Sequence, residues 1–394
     1  MIGALDGLVV LDFSRLLPGP YCTWLLADMG AEVIRIENPR EIEKQAKIFG
    51  WDKLPETERA GLRETDILAR NKQSMMLDIG HAASRDILHA LARRADIVVE
   101  DYRPGVLAGL GLGYDDLSAV NPGLIYTSLT LCGQTGPYRD KPGHDPVALS
   151  IAGVQSRIGE DPDAPSFAGI PVADVVTGTH AAFATLAAVQ ERHRTGRGRH
   201  VDVAMSDCAM SLLVNVLSRH SDLSSIPPRG TRRADMGLWR TRDGKFICTT
   251  DMEPRYWAIF CETVGRPDFV ALQNDVESRP EIRSALEAIF RERDLDEWLA
   301  ILGAAGTQFA PVHSIAEALE DPHNKARGMA LSYQGAGGRT VRQIGQPVRF
   351  GQESPVRWLG RAPGADTEAL LEDIGLSKAE IETLRTTGAL GAEL

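Results

Sequence analysis

The chain has 394 residues, 43% hydrophobic and 25% charged, which is enough to bury a large core and suggests two domains more readily than one. Its formal net charge of -11 excludes a surface that binds nucleic acid or anionic lipid all over, since such partners need a basic face; a polyanionic ligand must instead meet a local cluster of cations. The five cysteines, Cys22, Cys132, Cys208, Cys248 and Cys261, are scattered and never form C-x-x-C, so neither a disulfide framework nor a metal site is expected, and a reducing, cytoplasmic setting fits them.

Residues 7–13 (G-L-V-V-L-D-F) read as a strand, followed by a Pro18-Gly19-Pro20 turn, a helix over 21–29 and a second strand over 32–37, which together make a βαβ unit. Further strands are expected at 74–77, 96–101 and 124–129, with a helix over 84–94; the first third should therefore be a parallel sheet flanked by helices. The turn at 15–20 lacks G-x-G-x-x-G, so a nicotinamide dinucleotide is not indicated. A long helix over 174–193, a strand over 201–205 and a helix over 207–219 complete this part. No apolar run reads as long enough to cross a bilayer, and the first residues lack the order of a secretion signal, so no membrane partner is expected. Residues 392–394 do not match a peroxisomal address.

Residues 224–230 (S-S-I-P-P-R-G) have linker composition. Beyond them, 238–250 alternates around Asp243-Gly244, a hairpin signal, and helices are expected at 254–264, 279–291 and 294–302, giving a second, α+β domain. The polar tail from 355 should hold two short helices. The expected division is 1–220 and 331–394 for a large domain, with 221–330 between them.

Three titratable residues precede or open predicted helices: His144 before Asp145 as N-cap, Asp174 as N-cap, and Glu253 before Pro254 at the first helical position. N-cap acids commonly do no more than stabilise a helix, by about 1 kcal/mol. A helix N-terminus also offers N–H groups to an enolate or thioester oxygen, and a histidine there is biased toward the neutral form that suits a general base. The cations placed to meet a phosphorylated ligand are Arg70-Asn71-Lys72, before one strand, and Arg103, after another; for Arg70 or Lys72 alone a solvated loop is the better account. The basic run 192–199 reads as a helix C-terminus and glycine turn.

The opening L-V-V-L-D-F-S-R-L-L-P-G-P-Y-C-T-W-L-L-A-D-M-G-A-E-V-I-R-I-E resembles that of the class III CoA-transferase and 2-methylacyl-CoA racemase family. So do R-N-K-Q-S (70–74), D-Y-R-P-G-V (101–106), G-Q-T-G-P (133–137), E-R-H-R-T-G-R-G-R (191–199) and the tail at 374–385. The resemblance implies an α/β fold, with a large Rossmann-like CoA-binding domain whose parallel sheet is built from both chain ends, a smaller α+β domain and an interlocked homodimer. It implies coenzyme A as part of an acyl-CoA substrate, no tightly bound cofactor and no metal, with Arg70, Asn71, Lys72 and Arg103 at the adenine and phosphate end. Transferases of the family use an aspartate matching Asp174 as a nucleophile that carries the acyl group. Racemases use the matching aspartate with a histidine in a G-H-D motif, here Gly143-His144-Asp145, to exchange the α-proton on opposite faces, supported by the glutamate of an E-P motif, here Glu253-Pro254. The resemblance thus implies a racemase first, a CoA-transferase second, and a catalytically idle acyl-CoA-binding dimer third. One departure is at 233–239, where R-A-D-M-G-L-W stands in place of the racemases' G-G-A-P-rich segment.

Overall fold

The computed structural model describes residues 3–161, 163–230, 232–350 and 356–391. Six short apolar strands organise the first unit: β1 (Val9–Asp12), β2 (Glu32–Glu37), β3 (Lys72–Met76), β4 (Ile97–Glu100), β5 (Ile125–Thr130) and β6 (His200–Ala204). They pair in parallel in the order β3-β2-β1-β4-β5-β6. Side chains alternate between two cores, as a sheet covered on both faces requires. Leu11, Ile34, Val98 and Tyr126 join one cluster, and Val10, Val33, Val99 and Ile125 the other.

Three helices of this unit differ from expectation. Pro18, Gly19 and Pro20 form the first turn of the helix Pro18–Asp28 and not a separate turn, because first-turn residues need no intrahelical N–H bond and tolerate proline. The helix Val172–Thr195 is, by length and composition, apolar enough to cross a membrane, which corrects the expectation that no segment is. Its stripe of Ala173, Thr177, Ala181 and Ala188 is buried, and Gly178 lies so close to the helix Pro18–Asp28 that a Cβ there would sit 2.7 Å from the Pro18 carbonyl oxygen. The helix expected over 207–219 is two pieces, Met205–Ser211 and Val214–Leu217.

Of the described residues, those up to Ile158, Pro165–Ile226 and those from His323 onward form the first unit, while Gly159–Ala164 and Pro227–Pro322 form the second. The short segment 159–164, expected in the large domain, is held by the second unit's own chain: Arg229 Nε donates to the Asp161 carbonyl at 2.6 Å, and Arg232 pairs with Glu160. An antiparallel sheet of β7 (Met236–Arg240), β8 (Phe246–Thr250) and β9 (Phe309–Pro311) lies in the second unit. Gly244, with φ +82°, turns the β7–β8 hairpin, a conformation that costs glycine least. Trp239, Trp257, Phe260, Phe290 and Trp298 fill its core with the helices Pro254–Thr263, Arg279–Phe290 and Leu295–Ala305.

The parallel sheet is not built from both chain ends: its strands all fall between Val9 and Ala204. The returning chain adds helices instead, Thr367–Asp373 and Lys378–Thr386, which bury Leu370, Leu371, Ile381 and Leu384 in the Leu11 cluster. It also adds a separate antiparallel hairpin, β10 (Ala330–Gln334) and β11 (Thr340–Ile344). The tail expected from 355 begins in the stretch 351–355, which lies outside the described residues.

The R-N-K motif fastens this returning chain. Arg70 pairs with Asp28, both side chains fully buried, and Arg70 Nη1 donates to the Ile344 carbonyl at 2.6 Å and to Gln343 Oε1 at 3.1 Å. Asn71, with φ +61°, is the one non-glycine residue at positive φ among the described residues, a conformation asparagine tolerates better than most. Its side-chain oxygen accepts from the Arg357 and Trp358 amides. Lys72 Nζ reaches Asp12 Oδ2 at 3.0 Å, Thr23 Oγ1 at 2.6 Å and the Pro20 carbonyl at 3.1 Å. Replacing Arg70 with Met would strand a buried carboxylate, so a loss of about 3–5 kcal/mol in urea denaturation is expected, where a surface arginine would cost well under 1 kcal/mol.

Candidate active site

In a doubly wound sheet, ligands bind beyond the carboxyl ends of the strands where the order reverses, here between β1 and β4. A cleft of about 410 Å³ lies there, lined by Arg15 and Leu16 after β1, Asp101–Pro104 after β4, Leu129–Leu131 on β5 and just beyond it, and Met205 after β6. His144 and Asp174 both line it, so the structure brings these two predicted residues to one cavity. Arg103 lines it as well. Arg70, Asn71 and Lys72 do not: all three are buried and committed to the protein partners described above. Glu253 belongs to the second unit, exposed at the N-cap of the helix Pro254–Thr263, and its side chain makes no capping bond.

Local geometry explains how a histidine and a carboxylate 30 positions apart are held together. The helix Asp145–Ile151 starts one residue earlier than expected, so His144, and not Asp145, is its N-cap. The imidazole makes no capping bond and lines the cleft. Asp174 is likewise not a cap but the third residue of its helix. Its backbone N–H donates to Asp145 Oδ1 at 3.1 Å; the buried Asp145 carboxylate therefore ties one helix start to the other and satisfies a donor that the long helix leaves open. Gly143 completes the arrangement, since a Cβ there would sit 2.8 Å from Leu131 and 2.9 Å from Val147.

Asp174 is pushed up to about 6, first by burial and then by the nearby carboxylates of Asp145 and Asp101. It is therefore mostly ionised at neutral pH yet accepts a proton more readily than an exposed aspartate. Asp101 is raised by burial but remains anchored: it accepts from the Arg15 and Leu16 amides at 2.8 and 3.0 Å and from Arg15 Nε at 3.2 Å. Arg15 in turn lies 3.7 Å above the Tyr102 ring. Beneath this turn, Glu100 accepts from the Tyr102 amide at 2.8 Å, and burial raises it to about 7.

Sequence reasoning missed Arg15, Asp101, Glu100 and the bridging role of Asp145. The one available signal was position, since each lies at or just past a strand end or helix start. It also missed Lys44, Arg139 and Lys141, which with Arg15 and Arg103 set five cations against the three carboxylates of Glu41, Asp101 and Asp174 around the cleft. A locally basic mouth on an acidic protein suits an anionic ligand.

Residues 5–367 match the family model for CoA-transferase family III. The chain belongs to that family. Among relatives of this CoA-transferase family III chain, an acyl-CoA transferase of Fusarium pseudograminearum is 33% identical, covering 98% of this chain and 88% of its own. Human alpha-methylacyl-CoA racemase is 30% identical, covering 97% of this chain and 96% of its own. The structure is similar to that of a CAIB/BAIF family protein from Brucella suis, with a TM-score of 0.79 at 26% identity, covering 95% of this chain and all of that one. The α/β fold with its six-stranded parallel sheet is thus the fold of the family, and the family contains both racemases and CoA-transferases.

Two outcomes follow from the electrostatics. Asp145→Asn keeps an oxygen for the Asp174 amide but removes a negative charge, so the Asp174 carboxyl should titrate below about 6 in a carbon-13 NMR titration. Glu100 has a folded value of about 7 against an ordinary 4.5. The unfolded chain therefore loses this proton first, and the group's contribution to stability falls as pH rises from about 4.5 through 7. Glu100→Gln should gain on the order of 2 kcal/mol over the native chain at pH 8 relative to pH 5, read from denaturation midpoints.

Proposed function

We propose that this protein is a racemase or epimerase that exchanges the α-proton of a 2-methylacyl-CoA thioester through an enolate. The observation that carries this reading is the shared cleft: an imidazole and a carboxylate, on two helix starts tied together by Asp145, face one cavity at the strand ends. Inversion needs an acid/base group on each side of the carbon, and these two residue types supply them. An aspartate near 6 is basic enough to take a carbon-bound proton when the enolate is stabilised and acidic enough to return it.

In this reading His144 and Asp174 serve opposite faces. The α-proton of a thioester is a weak acid, so most of the barrier must fall through stabilisation of the enolate oxygen, for which one well-placed donor contributes about 3–4 kcal/mol. Arg103, with Lys44, Arg139 and Lys141, would meet the phosphates of coenzyme A, which enters as part of the substrate; no resident cofactor is required. Glu253, from a second copy of the chain in an interlocked homodimer, would orient His144 or carry its proton.

A second reading has its own support. The Fusarium relative is named an acyl-CoA transferase, and Asp174 on the cleft is equally a carboxylate that can attack a thioester and carry the acyl group as a mixed anhydride, releasing and then accepting CoA. Incubation in heavy water with one 2-methylacyl-CoA separates the readings. Solvent deuterium at the α-carbon without any acceptor acid is expected; CoA movement that occurs only after a second acid is added would transfer the assignment to the second reading. Binding with neither outcome would leave an idle acyl-CoA-binding protein. His144→Ala should abolish inversion, lowering kcat by about 10²–10⁴, while Asp174→Asn should permit at most exchange on one face.

A further inference from the structure

The helices Pro39–Phe49 and Glu56–Thr65, joined through the single turn Trp51–Lys53, follow β2. They add almost nothing to the core: no residue of the first is buried, Gly61 alone is buried in the second, and none of the four hydrophobic clusters takes a side chain from either. Both nevertheless have apolar faces. Ile42 and Ala46 of one, Leu62 of the other, and Trp51 between them line a cavity of about 620 Å³. A helix pair normally buries such a face against the core, because leaving it open forfeits the hydrophobic gain that holds surface helices in place.

A second, independent feature lies on the same wall. Arg59 lines the cavity; its Nη2 pairs with Glu56 at 2.8 Å, while its Nε is buried without a hydrogen-bond partner, whereas buried donors are otherwise paired in the great majority of cases. The cavity's charges cancel, with Arg35, Arg59, Arg63 and Arg361 against Glu37, Glu43, Asp52 and Asp66. A highly charged ligand therefore gains nothing from the surroundings as a whole; a mostly apolar one with a single acceptor group gains from both the walls and the unused N–H. The volume is that of an ordinary small-molecule site.

We infer that this cavity binds the aliphatic chain of an acyl group or carboxylic acid, with a carboxyl or carbonyl oxygen accepting from Arg59 Nε. Gln45 lines both this cavity and the His144–Asp174 cleft, so one helix is a wall of each. The ligand is either the chain of the substrate thioester or a free acid held beside it.

The test uses the full-length chain with decanoate as probe, followed by calorimetry. Native protein should bind decanoate with a Kd below about 1 mM. Ala46→Phe, which fills the cavity, should abolish binding, and Arg59→Met, which keeps the apolar stem but removes the donor, should weaken it by about tenfold or more. Should Ala46→Phe fail to give a native-like thermal transition, Arg59→Met decides. Absence of decanoate binding to native protein, or unchanged binding in the folded variants, overturns the inference. The source of the ligand is read from turnover: a raised KM for 2-methyldecanoyl-CoA but not 2-methylbutanoyl-CoA in Ala46→Phe identifies the substrate's own chain, and unchanged KM values with lost decanoate binding identify a free acid. That last arm alone rests on the proposed function, so calorimetry can fail without it and it can fail without calorimetry.

Discussion

Six strands running in one direction place all their carboxyl ends on a single edge, and the reversal of order between β1 and β4 parts the crossover connections there. This constraint governs everything chemical in the first unit. The segments after β1, β4, β5 and β6 have to emerge around one opening, and the cleft is lined by residues from all four. Strand ends supply the walls, and two helix starts supply His144 and Asp174. The buried Asp145 carboxylate then fixes those two starts to each other by a single bond to a backbone amide, and neither the His144 nor the Asp174 side chain takes part in capping.

Buried charge in this fold divides into two kinds. Arg70, Asn71 and Lys72 spend their donors on Asp28, Asp12, Thr23 and main-chain carbonyls, and Asn71 accepts from the amides of the returning chain. Pairs of this type are hard to break because each partner would be left uncompensated; their effect is to close the sheet's outer side with the chain's far end. The second kind is incompletely compensated. Glu100, Asp101 and Asp174 are all raised by burial and sit at or beside the cleft, while burial also raises Asp28 inside the fastening and Asp251 in the second unit.

The helical layer after β2 belongs to neither category. Its apolar side chains face a cavity and not the core, while the helix Pro39–Phe49 also contributes Glu41, Lys44 and Gln45 to the cleft. A layer with so little burial of its own opens more easily than the sheet beneath it.

The sequence by itself determined the elements whose signals are local. Strands 7–13 and 32–37, the Asp243-Gly244 hairpin and the helix after Glu253-Pro254 follow from periodicity, turn chemistry and proline at a helix start, and they occur within a few residues of expectation. The placement of His144, Asp174 and Arg103 beside helix starts and a strand end was legible too, and the structure brings all three to one cleft. What tertiary structure decided is which polar groups are satisfied by partners hundreds of positions away. Nothing near Arg70 tells that Ile344 and Gln343 take its donors, so a buried fastening reads as a phosphate site. The same holds for Asp145, whose partner amide is 29 positions distant, and for the sheet, which the chain's end completes with helices and not strands. Local pattern specifies an element and the face it buries; the pairing of buried charges depends on where separate elements meet, and only the packed chain fixes that.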